Sequence, residues 1–361
     1  MLNDDLSTQQ FAPELEAEIK ALPKVELHRH LEGAVRLDTL IEIASEHKIE
    51  MPEYDIETLR PFVQMMPTEH RSMQNFLAKF KTIRQFFLSK SVIERIAREA
   101  VIDAANDNIK YMELRFTPIA LCAISKCDVH DVVGWVCDAV NETAEEYGVM
   151  VRLIVSMNRH ESVEIGEAML NAAIAHKDHG VVGVDLAGRE SQFPASLFRN
   201  LFFDAKDAGL DVTIHAGEWG GAQSVWDAIG NLGATRIGHG VRCLEDYGMV
   251  TILAQKGIVL EVCPTSNIHS GVFPHMEVHP LPELVDSGLL VTINTDDPLI
   301  SGITLSDELL RVMTAMRLTM DDIKRHTIIA AKSAFLPDDE RVALVEKFKG
   351  LLYPAEDSAK A

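Results

Sequence analysis

The sequence predicts an α/β fold: a single (β/α)8 TIM barrel, with extra helices after the first strand forming a lid over its C-terminal face. Three observations carry this. Eight short apolar, β-branched runs alternate with helix-forming stretches along 361 residues, and such alternation implies a parallel sheet that eight units can close. No Pro/Gly/Ser-rich linker divides the chain, so residues 1–361 read as one domain. Histidines and acids fall at the ends of five of the runs, on the C-terminal rim where barrels of this kind place their active sites.

Residues 1–20 read as a polar tail that ends in a short helix over Pro13–Ala21. The first strand follows at about 24–30. From residue 37 to about 106 there is no strand signal, and this stretch is the expected lid insertion. Leu40, Ile41, Ile43 and Ala44 give one apolar helix face there; Phe76, Leu77, Phe80, Ile83, Phe86 and Phe87 give another. The aromatic stripe reads as helix core that can also overhang the first strand's end. Further strands are expected at 109–115, 150–156, 181–185, 212–215, 236–239, 258–262 and 290–294. Helices are expected between them at 132–146, 165–176, 196–208, 222–232, 245–255 and 282–287. Two last helices, 305–315 and 320–331, complete the outer ring.

The bulk composition narrows the function. With 34 basic and 55 acidic residues the net charge is −21, which argues against a nucleic-acid or anionic-membrane partner, since both attract Lys and Arg. A small neutral substrate is unaffected by that charge. The five cysteines form no C-x-x-C pair, so no zinc ribbon or thioredoxin-like motif is present, and reduced thiols in a cytoplasmic protein are expected. The acidic N-terminus is unlike a signal peptide, and no apolar run reaches membrane-spanning length. The sequence assigns no oligomeric state.

The chemistry begins at Val25–Gly33, which contains His28-Arg29-His30. On a strand the two imidazoles project to the same side, about 7 Å apart, and can share a metal ion. Chance alone gives about half such a pair in a chain this rich in histidine, so its weight depends on the other strand ends. These read Asp185-Leu186-Ala187-Gly188, His215-Ala216-Gly217-Glu218, His239-Gly240 and Thr295-Asp296-Asp297-Pro298. His28, His30, His215 and one carboxylate of the Asp296-Asp297 pair make a three-nitrogen, one-oxygen set. That set suits one zinc ion with an open position for water, and another first-row divalent ion also fits. Zinc would lower the pKa of that water. No lysine stands at the end of the fourth strand, which favours one metal over two. Asp296-Asp297 could also cap the helix that follows. Glu26 is expected on the inward face with His28 and His30, and Glu113 and Arg115 in a buried network. His269, His275 and His279 could line the barrel mouth; His47, His70, His130, His176 and His179 read as surface or packing residues.

The stretches LPKVELHRHLEG, VVGVDLAG, VTIHAGE, RIGHG, LEVCPTSN and TINTDDP, in this order from residue 22 to 298, resemble the adenosine deaminase family of metal-dependent barrel hydrolases. The resemblance implies that His28, His30, His215 and Asp296 bind zinc. It implies that Glu218 protonates N1 of a purine, that His239 orients the attacking water and helps deprotonate it, and that Asp296 shares in the catalysis. Asp297 would contact N7 and Gly188 would offer its N–H to N3, with His30 and Glu32 also facing the substrate. A protonated Glu218 requires a raised pKa in a desolvated site, whereas an acid bound to a cation stays ionised. The family's adenosine enzymes usually carry aspartate where this chain has Glu32; glutamate there resembles relatives acting on adenine or 6-aminodeoxyfutalosine. Arg189, at a commonly acidic position, could meet a substrate carboxylate or be a solvated rim residue. The lid stretch around Phe76 and Phe80 looks like the nucleoside deaminases. Adenosine and 2′-deoxyadenosine therefore rank first, 6-aminodeoxyfutalosine second and adenine third. The cytidine-type deaminases need P-C-x-x-C, which is absent. A non-catalytic metal-binding protein and a phosphoester hydrolase with several metals are the readings from other classes.

Overall fold

A computed structural model describes residues 11–51 and 53–354. Its centre is a parallel sheet of eight strands, hydrogen-bonded in chain order. They are β1 (Lys24–His30), β2 (Ile109–Phe116), β3 (Met150–Asn158), β4 (Val181–Ala187), β5 (Asp211–Ala216), β6 (Arg236–His239), β7 (Val259–Val262) and β8 (Leu290–Ile293). β3, β4, β7 and β8 are mainly apolar or β-branched, as a parallel sheet covered by helices requires, whereas β1 (KVELHRH) is mostly polar.

The seam between β8 and β1 matters most for function. It rests on a bridge between Arg29 and Asp296. His30 N–H donates to the Asp296 carbonyl (2.8 Å) and Asp296 N–H to the His28 carbonyl (3.0 Å). The barrel is thus drawn together by the backbone of three of the four expected metal ligands.

Between β1 and β2 lie helices Leu37–His47, Ile56–Val63, Met73–Ile83 and Lys90–Asn106. Three of them start where the sequence supplies a capping side chain: Asp55 accepts from Thr58 N–H, Ser72 from Asn75 N–H and Ser89 from Val92 N–H. Lys90–Asn106 packs on β2 and returns the chain to the barrel.

Every expected strand is present. β3 and β4 run two residues past their expected ends, to Asn158 and Ala187. A terminal helix, Asp338–Leu352, was not anticipated and packs on Met320–Lys332. It opens after Pro337 with three acids and no side-chain cap, so its start carries little of the usual sequence signal.

The barrel interior is ionic. Arg115 reaches Glu261 (2.7 Å) and Asp185 (3.4 Å). Arg236 pairs with Glu261 (2.7 Å) and with Glu113, which also accepts from Tyr111 (2.8 Å) and Phe335 N–H (2.7 Å). All five charged groups are almost fully buried. Ions removed from water need such mutual pairing, and the network bears out the expectation for Glu113 and Arg115. Glu26 does not join it. β1 slips register between Glu26 and Arg29, which breaks the strict alternation of faces. Glu26 instead binds Arg29 (2.6 Å) and the Thr295 backbone (3.0 Å), and Arg29 lines an outer cavity with Lys20 and Asp103.

Candidate active site

The interior network continues directly into the histidine cluster. Glu261 accepts from His28 Nδ1 (2.8 Å) and Asp185 from His215 Nδ1 (2.9 Å). With the proton held on Nδ1, each ring keeps its Nε2 lone pair for the interior, the arrangement that second-shell carboxylates impose on metal-binding histidines. His28 Nε2 and His30 Nε2 lie 3.2 and 3.3 Å from Asp296 Oδ1, and His30 Nε2 lies 3.2 Å from His215 Nε2.

The ligand atoms of His28, His30, His215 and Asp296 all lie within 4.8 Å of one another. His28 Nε2 and Asp296 Oδ1 are buried without a hydrogen-bond partner among the described residues. Lone pairs converging on one point, and unsatisfied there, fit a metal ion. Cys263 also lies near His28, His239 and Asp296, but His28 and His215, the two rings whose Nδ1 is fixed by a carboxylate, come together only in the set without it.

Two of the site residues have left-handed backbones, His239 at φ 61° and Asp296 at φ 66°. Such conformations are uncommon for residues other than glycine, and here they aim side chains off the strand ends into the barrel mouth. Asp296 Oδ2 accepts from Ser266 (2.7 Å). Asn267 donates to His239 Nδ1 (3.1 Å) and is itself oriented by His279 (3.1 Å). His239 Nε2 is then left facing Glu218 Oε2 at 3.6 Å and Asp296 Oδ2 at 3.9 Å. Burial holds His239 well below the usual histidine range. It pushes Glu218 well above the carboxylate range, with the charges of Asp296, Glu190 and Asp297 adding to the effect. The site therefore offers a neutral imidazole and a protonated carboxyl group side by side.

Glu190 explains how Glu218 is held. Its carboxylate accepts four successive backbone N–H groups, from Gly217 (2.5 Å), Glu218 (3.1 Å), Trp219 (2.9 Å) and Gly220 (2.8 Å). The turn needs Gly217, which sits at φ 67° and where a Cβ would come within 2.6 Å of Val225.

A cavity of about 80 Å³ opens above these groups. It is lined from the barrel by His30, Glu32, Gly188, His215, Glu218, Trp219, His239, Asp296 and Asp297, and from the helices after β1 by Phe76, Leu77, Phe80 and Arg84. Every residue expected to face substrate is there. Glu32 Oε1 accepts from Thr117 N–H (2.8 Å), while its Oε2 and Asp297 Oδ1 have no partner among the described residues. Gly33 is required beneath Asp297, since a Cβ there would lie 1.9 Å from Asp297 Oδ1. Burial and the charges of Asp296 and Glu32 push Asp297 well above the usual range.

Some expectations fail. Asp297 precedes helix Pro298–Ser301 but makes no side-chain cap to it. Arg189 is exposed and does not line the cavity, which agrees with the solvated-rim reading and not with a contact to substrate. Of the three histidines after β7, none lines it: His275 is half-buried away from it, His269 borders a separate cavity and His279 reaches the site through Asn267. The sequence reading missed Glu190, Asn267, Glu261, Arg84 and Trp219. Glu190 carried a weak sign, as an acid two residues past Gly188; Glu261 and Asn267 stand in the stretch LEVCPTSN, from which no role was read, and Arg84 and Trp219 carried no sign.

A family model described as adenosine deaminase matches residues 23–350. The chain belongs to the adenosine deaminase family. It is 39% identical over 330 residues to the adenosine deaminase of Vibrio parahaemolyticus, spanning 91% of this chain and 98% of that one. Among solved structures it is similar to the adenine deaminase of Arthrobacter aurescens, with a TM-score of 0.84 and 27% identity over 91% of this chain and 98% of that one. It is equally similar to an amidohydrolase from Burkholderia ambifaria with bound zinc, with a TM-score of 0.84 and 27% identity over 96% and 95% of the two chains. As a family member the protein is a hydrolase of C–N bonds, and its relatives support deamination of an aminopurine. No helix among the described residues is long and apolar enough to cross a membrane.

Proposed function

We propose that the protein catalyses zinc-dependent hydrolytic deamination of adenosine and 2′-deoxyadenosine, giving inosine or 2′-deoxyinosine and ammonia. The observation that carries this reading is the pairing of a buried Glu218 carboxyl, pushed toward its neutral form, with a converging three-histidine, one-aspartate set. The residues that would hold the metal are His28, His30, His215 and Asp296. When bound, zinc supplies a Lewis acid that makes water nucleophilic near neutral pH.

Everything else is the work of side chains. Attack at C6 breaks the aromaticity of the purine, so N1 must gain a proton as that carbon becomes tetrahedral. Glu218 supplies it, acting as general acid. The neutral His239 ring, oriented by Asn267 at Nδ1, positions the attacking water and helps take up its proton, while Asp296 beside it stays ionised. Asp297, kept protonated by burial, donates to N7, and Gly188 N–H to N3. Glu32, braced by Thr117, meets the ribose 5′-hydroxyl with its free oxygen.

A second reading rests on Arg84. Its guanidinium lines the cavity from the lid side, with a buried Nε that has no partner among the described residues. A carboxylate at the far end of the substrate would satisfy it, as in 6-aminodeoxyfutalosine; adenine, which lacks both sugar and carboxylate, ranks third. Measuring kcat/KM on adenosine, 2′-deoxyadenosine, 6-aminodeoxyfutalosine and adenine decides between them. The two nucleosides are expected to lead by at least about tenfold, the scale one altered pocket contact supports. A lead for the futalosine derivative that disappears in Arg84→Ala would replace the first reading by the second.

A further inference from the structure

On the outside of the barrel, helix Val163–Ala175 ends at His176 and passes into a single 3-10 turn, Lys177–His179. That turn brings His176 and His179 against helix Val129–Tyr147 at Cys137. Each of the three residues presents one ligand atom, and these atoms all lie within 4.8 Å of one another. None of the three lines the substrate cavity.

We propose that Cys137, His176 and His179 form a second, peripheral binding site for a divalent metal ion that prefers thiolate and imidazole, with zinc as its representative. A tetrahedral zinc with bonds of about 2.0–2.3 Å keeps its ligand atoms roughly 3.5 Å apart, so small rotamer changes close the set. An independent observation points the same way: His176 Nε2 is buried and has no hydrogen-bond partner among the described residues. A desolvated ring nitrogen without a partner is costly unless something occupies it.

Two further donors stand nearby, outside the three-residue group, and water can complete the coordination. The His130 ring lies 4.6 Å from that of His176, centroid to centroid, and Asp138 Oδ1 lies 3.3 Å from His179 Nε2. Gly134 leaves room for the His176 ring, since a Cβ there would sit 3.2 Å from its Cε1. Metal capture by Cys137 exchanges one bond for another: the thiol proton leaves to solvent and a sulfur–metal bond forms. One ion would then tie the C-terminal end of one outer helix to its neighbour and stabilise the barrel wall, leaving the chemistry at the mouth unchanged.

The test uses holoenzyme whose catalytic site is already loaded. Equilibrium dialysis against micromolar zinc, followed by elemental analysis, is expected to give two equivalents for the wild type and one for His179→Ala, an exposed position whose loss leaves the fold intact. Cobalt(II) added as the second equivalent should produce a near-ultraviolet thiolate-to-metal absorption that Cys137→Ser abolishes. The wild-type Tm should rise with the second equivalent and that of His179→Ala should not, while deaminase turnover stays equal in both. Binding that stops at one equivalent in the wild type overturns the proposal. So does a second equivalent that persists in both variants, which would mark ordinary surface adsorption.

Discussion

The smallest unit of this enzyme's chemistry is the contrast between two acids. Asp296 is held well below the carboxylate range: burial opposes ionisation, but the rings of His28, His30 and His239 gathered around it outweigh it. Glu218, close by, is held well above that range, with burial as the largest cause. The sign of the pH effect follows from the protonated form being the active one. Activity resting on Glu218 is complete below its raised pKa and falls as the pH climbs through it, so kcat should decline on the alkaline side. Glu218→Gln removes the proton donor and keeps the shape; turnover should fall about 10²–10⁴-fold with metal content unchanged. Full turnover by that variant would refute the proposed acid. Glu190 is a positioning residue, and its contribution can be separated from a structural one. Glu190→Gln keeps the size but gives up the charge that gathers four amides. A kcat loss of about 10²-fold with KM little changed and the same Tm is expected; a fall in Tm without a change in kcat would assign it to stability alone.

At the scale of elements, the helices after β1 decide access. The catalytic cavity measures about 80 Å³, whereas pockets that bury a drug-sized ligand run from about 300 to 1,000 Å³. The segment bearing Phe76, Leu77, Phe80 and Arg84 must therefore shift to admit a purine nucleoside, which is the part we assign to it as a lid. Phe76 also sits in the core of its own helix, but Phe80 is only half-buried. Phe80→Ala should raise KM about tenfold, the scale of one lost aromatic contact, with Tm little affected. Equal KM for Phe80→Ala and wild type would remove the lid from the binding step. The sequence showed this region as helical and aromatic because the spacing of apolar residues along a helix is a local property. Its distance from the active site is not a local property, and the place of Arg84 at the cavity appears only in three dimensions.

For the whole molecule, the feature with most consequence is that barrel closure and the candidate metal site share residues. The bridge between Arg29 and Asp296 joins the sheet's edges, and His28 beside it is held by Glu261 of the buried Arg115, Arg236 and Glu113 network. A metal bound there stabilises the fold by mass action, about 4 kcal/mol at a free concentration a thousandfold above Kd. Stripping the ion with a chelator should lower Tm by several degrees as well as abolish turnover, and readdition of zinc should restore both. A chelated protein that melts at the holoenzyme temperature would show that the seam closes without help from the ligands.

The order of strands and helices was legible in the sequence, as was the gathering of His28, His30, His215, Glu218, His239 and one carboxylate of Asp296-Asp297 on a single rim; the choice of Asp296 came from the family resemblance. The order and the rim could be read because strand periodicity, helix spacing and strand-end position are short-range, and because histidines and acids gathered at strand ends are hard to explain as packing. Tertiary structure alone decided the rest. Glu26 turned away because a register slip breaks the alternation a regular strand would impose. Glu261 and Asp185 fixed the tautomers of two histidines from strands 233 and 30 residues away in the chain. Glu190 reached four amides of a different loop, and Asn267 and His279 together oriented His239. These are contacts between residues distant in the chain, set by closure of the barrel, and no local pattern encodes them.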